Sequence, residues 1–198
     1  MTDQELEGFA AQAFNLARTE FQRKEKFNWL LASFHRGTGL HRMTKIEALV
    51  IELAGEDWMN DSAKKERVGY VLRIATHLMP PDAVALVSIA DRWKPTDAFN
   101  ALSEADQKKI MDGPRASRAD AASLGLLTVD EVMVCWAQTP SRVCSYQRTL
   151  NELEDSQPLV QFGPMELFEG NFKLFGEVEI PPEAAEIFAR RMAEKGYL

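Results

Sequence analysis

The stretch FHRGTGLHR, Phe34 to Arg42, gathers two histidines, two arginines and two glycines within nine residues. Such a set could meet an anion, because the cationic side chains supply charge and glycine lets backbone N–H groups converge on an oxygen. A phosphate-cradling loop also needs a strand before it and a helix after it, and the preceding segment reads as helical. GTG lacks the third glycine of the dinucleotide fingerprint and the Gly-Lys-Ser/Thr of a P-loop. The stretch therefore reads as a basic interhelix turn, with His35, Arg36, His41 and Arg42 as candidate contacts to an anion or ligand. His35 and His41 are six residues apart, which is not the i, i+4 spacing that presents two metal ligands from one helix face. Neither HExxH nor HxE with CxxC occurs, so no metal and no cofactor are expected. His77 suits the dipole near a helix end.

A second set lies in IADRW, Ile89 to Trp93, where an apolar strand empties into a polar loop through an acid, a base and a tryptophan. Asp91, Arg92 and Trp93 are candidate ligand contacts, and Arg115 and Arg118 reach the same place if the following loop folds back. The structural alternative is an aromatic covering the core beside a solvated ion pair. Cys135 and Cys144 flank Pro140, and a hairpin symmetric between Thr139 and Pro140 sets them directly opposite each other. They read either as a redox or metal pair or as two small buried thiols. No histidine lies near them in sequence to serve as a base, so no catalytic residue is assigned.

The net charge of −7 is a regional property. Glu152 to Glu186 holds nine acidic residues and one lysine, a balance of −8, while the rest of the chain sums to +1. Glu177 and Glu179 alternate with Val178 and Ile180, which puts both carboxylates on one strand face; Glu166 and Glu169 lie one expected strand earlier. This acidic ribbon reads as edge protection or as a docking surface for a basic or nucleic-acid-binding protein. Conversely, Phe27 to Ile46 holds no acid.

The elements that position these residues follow from pattern. Thr2 with Glu5 is a capping-box signature opening a helix through Lys26, extended by Phe27 to Leu31 until RGTG breaks it. Thr44 with Glu47 repeats the signature for a second helix ending near Gly55, and a third runs from Ser62 to Pro80. AVALVSIA, Ala83 to Ala90, is a short uninterrupted apolar run that reads as the first strand. Trp93 to Ser123 is polar, with a short helix after Ser103 and a mobile loop at DGPRASRAD. TVDEVMVCWAQT and SRVCSYQRTL form a hairpin; PLVQF, MELFE and FKLFGEVEI continue the sheet; Pro182 opens a C-terminal helix. Helices followed by strands give an α+β fold with N-terminal helices, a mainly antiparallel sheet and a C-terminal helix. The expectation is a single domain over 1–198, helical to about residue 80 and sheet-containing from 81.

With 198 residues and 45% hydrophobic content the chain can bury a sizeable core. Its apolar runs are far shorter than the roughly 20 residues that span a bilayer, and MTDQELEGFAAQAF lacks the features of a secretory signal, so a cytoplasmic protein without membrane contact is expected. AVALVSIADRW followed by SRADAASLGLLTVDEVMVCW resembles uncharacterised bacterial and phage-encoded α+β domains, over about residues 80–149. The resemblance implies a prokaryotic or viral origin and transfers no activity. The leading expectation is a non-enzymatic binding or regulatory protein that acts through the acidic sheet surface and C-terminal helix. Inhibition of a nucleic-acid-binding host system is its concrete form, and direct nucleic-acid binding is not expected. The alternatives are a hydrolase or phosphoryl-handling enzyme built on His35, Arg36, His41, Asp91 and Arg92, and an assembly subunit marked by homo-oligomerisation.

Overall fold

The computed structural model describes residues 1–23, 27, 29–55, 58, 62–78, 80–153, 157–164 and 182–194. Among them are helices α1 (Asp3–Arg23), α2 (Thr44–Ala54), α3 (Ser62–Leu78), α4 (Asp97–Asn100), α5 (Glu104–Met111), α6 (Arg115–Ser123) and α7 (Pro182–Glu194). Strands β1 (Trp29–His35), β2 (Gly39–Arg42), β3 (Ala83–Pro95), β4 (Leu127–Gln138), β5 (Arg142–Thr149) and β6 (Leu159–Pro164) form one antiparallel sheet in the order β2-β1-β3-β4-β5-β6. The class is α+β, with helices at both ends of the chain, as the order of elements predicts. The expected strands MELFE and FKLFGEVEI, with Glu166, Glu169, Glu177 and Glu179, lie outside the described residues.

Two expectations change in the first third of the chain. The run expected to extend the first helix is instead strand β1, and FHRGTGLHR is the β1–β2 hairpin. WLLAS is buried at five consecutive positions. A run buried on both faces lacks the alternation that marks a strand, and periodicity alone cannot separate it from a buried helix. The hairpin turn closes with the Thr38 N–H donating to the His35 carbonyl at 3.2 Å, and Gly37 takes φ +95° at the third turn position, a requirement of type II turns. AVALVSIA is the third strand of the chain and lies inside the sheet, paired with β1 from Trp29↔Ser88 to Phe34↔Ala83.

The chain divides into two compact units. The first comprises Met1–Ser88, Val134–Tyr146 and Leu159–Leu198. Here Thr2 and Glu5 form the expected capping box: the Thr2 N–H donates to Glu5 Oε2 at 2.6 Å and the Glu5 N–H to Thr2 Oγ1 at 3.2 Å. The apolar stripe of α1 packs on one sheet face, where Phe9 meets Phe34 at 5.6 Å and Phe14 meets Tyr146 at 5.1 Å between ring centroids. Fully buried alanines on α1 (Ala10, Ala13, Ala17) and on the strands (Ala32, Ala85) let the two backbones approach closely. The opposite face, Trp29, Leu31, Val84 and Leu86, packs with Ile46, Leu49 and Val50 of α2, Leu72 and Ala75 of α3 and Phe188 of α7. Trp58 seals it edge-on against Trp29 at 5.4 Å, a geometry worth about 0.5–1.5 kcal/mol beyond burial.

The second unit comprises Ile89–Met133 and Gln147–Pro158. Its core is Phe99, Ala121 and Leu127, with Trp93, Leu102 and Ile110 packed against them. Thr96 caps α4 and also donates from Oγ1 to the Leu126 carbonyl at 2.9 Å; Ser103 caps α5, accepting the Asp106 N–H at 3.2 Å. DGPRASRAD, expected as a mobile loop, carries most of α6. Pro114 stands at its N-cap, and Gly125 at φ +74° ends it in a Schellman motif, with Leu126 N–H on the Ala121 carbonyl and Gly125 N–H on the Ala122 carbonyl, both at 2.9 Å.

Glycine substitutions test this account in opposite directions. Gly8 is exposed within α1 with open space where a Cβ would stand, so Gly8→Ala raises stability by about 0.5–1 kcal/mol. A Cβ on Gly113 would lie 2.7 Å from the Lys109 carbonyl oxygen, so Gly113→Ala lowers stability by about 1–3 kcal/mol. Urea unfolding monitored by circular dichroism measures both.

Candidate functional site

The β1–β2 hairpin fixes the histidines. Register pairs Ser33 with His41 and His35 with Gly39, so the two imidazoles share a sheet face, offset by one pair, with ring centroids 6.1 Å apart. Phe34 points to the other face, onto α1. Arg36 sits in the turn, where its backbone N–H donates to Asp82 Oδ2 at 2.7 Å; its largely exposed guanidinium lies 3.8 Å from the same carboxylate. The Asp82 N–H in turn donates to the Phe34 carbonyl at 2.9 Å, tying the turn end of the hairpin to the start of β3.

Arg42 is held by its own chain. Its Nε donates to both Glu47 oxygens at 3.2 and 3.1 Å, Nη2 lies 3.0 Å from Glu47 Oε2, and Nη1 lies 3.5 Å from Glu20 Oε2. Burial opposes the Arg42 charge, but the Glu47 and Glu20 carboxylates outweigh it and raise its pKa. Thr44 and Glu47 do not form the expected capping box: Met43 is the N-cap, and the Glu47 side chain turns inward to accept the Leu31 N–H at 2.8 Å. The reason is competition, since a buried N–H and a guanidinium together bind a carboxylate more strongly than one helix-end amide does.

Asp91, Arg92 and Trp93 belong to the second unit and do not form one cluster, because strand alternation sends neighbours to opposite faces. Arg92 Nη2 donates to Asp130 Oδ2 at 3.1 Å and to Thr149 Oγ1 at 3.0 Å, and Lys94 Nζ lies 2.5 Å from the same Asp130 oxygen. Hydrogen bonds from Lys94 and then from Arg92 hold the Asp130 carboxyl below the usual aspartate range. On the other side Asp91 binds Arg115 of α6 at 2.6 Å, and Trp93 packs into the core of this unit. Arg118 instead closes the α5–α6 connection, donating from Nη1 to the carbonyls of Met111 at 2.7 Å and Gly113 at 2.8 Å.

The cysteines are buried free thiols. The hairpin turn is closed by the Thr139 N–H donating to the Arg142 carbonyl at 2.8 Å and the Arg142 N–H donating to Thr139 Oγ1 at 3.0 Å. Both thiols lie on this hairpin, Cys135 on β4 and Cys144 on β5, near enough for Cys144 to act on Cys135. Burial, then the neighbouring Cys144, pushes the Cys135 thiol strongly up. Burial, then Glu7 and Asp3, pushes Cys144 up to about 12.

Sequence reasoning missed a hollow in the first unit. Leu49 and Leu53 of α2, Tyr70, Val71 and Ile74 of α3, and Ile187, Phe188 and Arg191 of α7 line a concave apolar surface enclosing about 230 Å³. Helical spacing in α2 and α3 places apolar residues on one face, but a stripe does not reveal whether its neighbours close over it. Among the described residues no group of three or more His, Cys, Asp and Glu is arranged to hold a metal ion, and no helix is long and apolar enough to cross a membrane. The chain matches no family model, no curated protein and no solved structure.

A thiol with a pKa near 12 is ionised in roughly one molecule in ten thousand at pH 8, and the thiolate is the reactive form. Neither cysteine is therefore expected to react with iodoacetamide at pH 8 in the folded protein, while both react in guanidinium. Mass spectrometry reads the outcome, and rapid labelling of either cysteine in the folded chain contradicts this burial.

Proposed function

We propose that the chain is a non-enzymatic binding or regulatory protein of bacterial or phage origin, working in the cytoplasm. It holds a basic or nucleic-acid-handling protein through its acidic C-terminal region and C-terminal helix. Interference with such a host system is the form this activity takes, since a surface rich in carboxylates competes with nucleic acid for the same cations.

The observation that carries this reading is the commitment of the candidate charges to one another. Arg42 is held by Glu47 and Glu20, Arg92 and Lys94 by Asp130, and Asp91 by Arg115. Each of these side chains, considered as a catalytic or anion-binding group, already has a structural task. The excess of nine acids over one lysine between Glu152 and Glu186 has no counterpart of that size elsewhere in the chain, whose remainder sums to +1. Such a one-sided field accelerates association with a cationic partner and raises its selectivity.

Charge reversal tests the proposal. Affinity-tagged protein is incubated with lysate of its native host at low and moderate salt, beside the Glu177→Lys/Glu179→Lys variant and an Arg36→Gln control. A basic or nucleic-acid-handling protein recovered at low salt, reduced at moderate salt and lost with the double reversal but retained by Arg36→Gln is the expected result. A partner indifferent to both salt and charge reversal, or none at all, overturns the proposal.

A further inference from the structure

The hollow between α2, α3 and α7 is built at helical spacing from three elements. Leu49 and Leu53 are four apart, as are Tyr70 and Ile74, while Phe188 and Arg191 are three apart and Ile187 and Arg191 four apart. Its floor is core: Leu49 and Ile74 are each 3% exposed. Its rim is not, since Leu53 and Ile187 are 42% and 48% exposed. Apolar rim atoms therefore stand in water around a buried apolar floor, and an apolar occupant would take the rim out of solvent.

The charge at the rim is as selective as the lining. Among the described residues Arg191 is the one cation of the lining, and no carboxylate lines the hollow. Its neighbour Arg190 lies 3.9 Å from Glu194 along the helix, whereas no described residue forms an ion pair with Arg191. A guanidinium at the edge of an apolar hollow complements a carboxylate, which it can bind through two parallel N–H···O bonds. Size narrows the choice further. About 230 Å³ is below the range of roughly 300–1,000 Å³ common for drug-sized ligands, and an α-helix with its side chains is about 10–12 Å across. The hollow suits one short apolar chain, not a partner helix.

We propose that this hollow binds a small amphipathic carboxylate, with the apolar chain between α2, α3 and α7 and the carboxylate on Arg191. The hollow shares α7 with the C-terminal region through which the chain is proposed to hold a protein partner, but it is argued from its own lining and does not depend on that reading.

Isothermal titration of the full chain with decanoate, decanol and decyltrimethylammonium, each below its micelle concentration, separates the contributions. Decanoate is expected to saturate at one molecule per chain, with decanol about tenfold weaker and the ammonium weaker still. Arg191→Gln brings decanoate to the affinity of decanol and leaves decanol unchanged. Leu53→Trp, which fills the hollow from its exposed rim, abolishes both, with thermal melting confirming that the variant is folded. Equal affinity for the three probes, no saturable decanoate binding, or decanoate binding that is unaffected by Arg191→Gln overturns the proposal. Binding seen only as dissociation of a dimer in gel filtration also overturns it, because a second copy would then be the natural occupant.

Discussion

A buried carboxylate lets the N-terminal third of this chain join a helix to a sheet. β2 ends at Arg42, so beyond the Ala32↔Arg42 pair β1 loses its neighbour strand on that side. The Leu31 carbonyl still receives the Met43 N–H at 2.9 Å, but the Leu31 N–H has no strand carbonyl to meet. Glu47, one turn into α2, supplies the missing acceptor at 2.8 Å. A buried unpaired amide costs about 1–3 kcal/mol, and an unpaired buried carboxylate costs more, so the arrangement depends on Arg42 arriving from the end of β2 to balance the charge. One side chain thereby continues the ladder, starts the path of α2 across the sheet and accounts for an arginine in the basic stretch.

The same economy of charge recurs in the second unit with different partners. Asp130 gathers Arg92 and Lys94 from β3, and Asp91 on the opposite face of that strand meets Arg115 of α6. These pairs are partly exposed, so each contributes little to stability alone. Their consequence is positional: a strand whose successive side chains are tied to different elements cannot slip by one residue without breaking both sets of contacts. The charged groups of this candidate ligand set are thus paired with one another's neighbours in the fold.

Much of this architecture was legible in the sequence, and the failures have particular causes. Thr2 with Glu5 was readable because a capping box is local; Thr44 with Glu47 has the same spacing, but a long-range amide and Arg42 took the carboxylate. TrpLeuLeuAlaSer resembled a helix because both faces of β1 are covered, α1 on one and α2 with α3 on the other, which erases alternation. DGPRASRAD resembled a loop because proline and glycine dominate its start, while its stop signal, Gly125 in a Schellman motif, lies outside the segment that attracted attention. The hollow was not legible at all, because it depends on where three helices stop short of one another.

The central claim is that the basic stretch Phe34 to Arg42 is a fold element anchored by Glu47. The most direct measurement is a double-mutant cycle on Arg42 and Glu47, comparing unfolding free energies of Arg42→Gln, Glu47→Gln and the double variant with the parent. A buried carboxylate held by a partly buried guanidinium and a buried N–H predicts that either single change costs about 1–3 kcal/mol and that the double variant costs clearly less than their sum. Single changes below about 1 kcal/mol that add within about 0.5 kcal/mol would contradict it, and would return Arg42 to the set of groups free to meet a ligand.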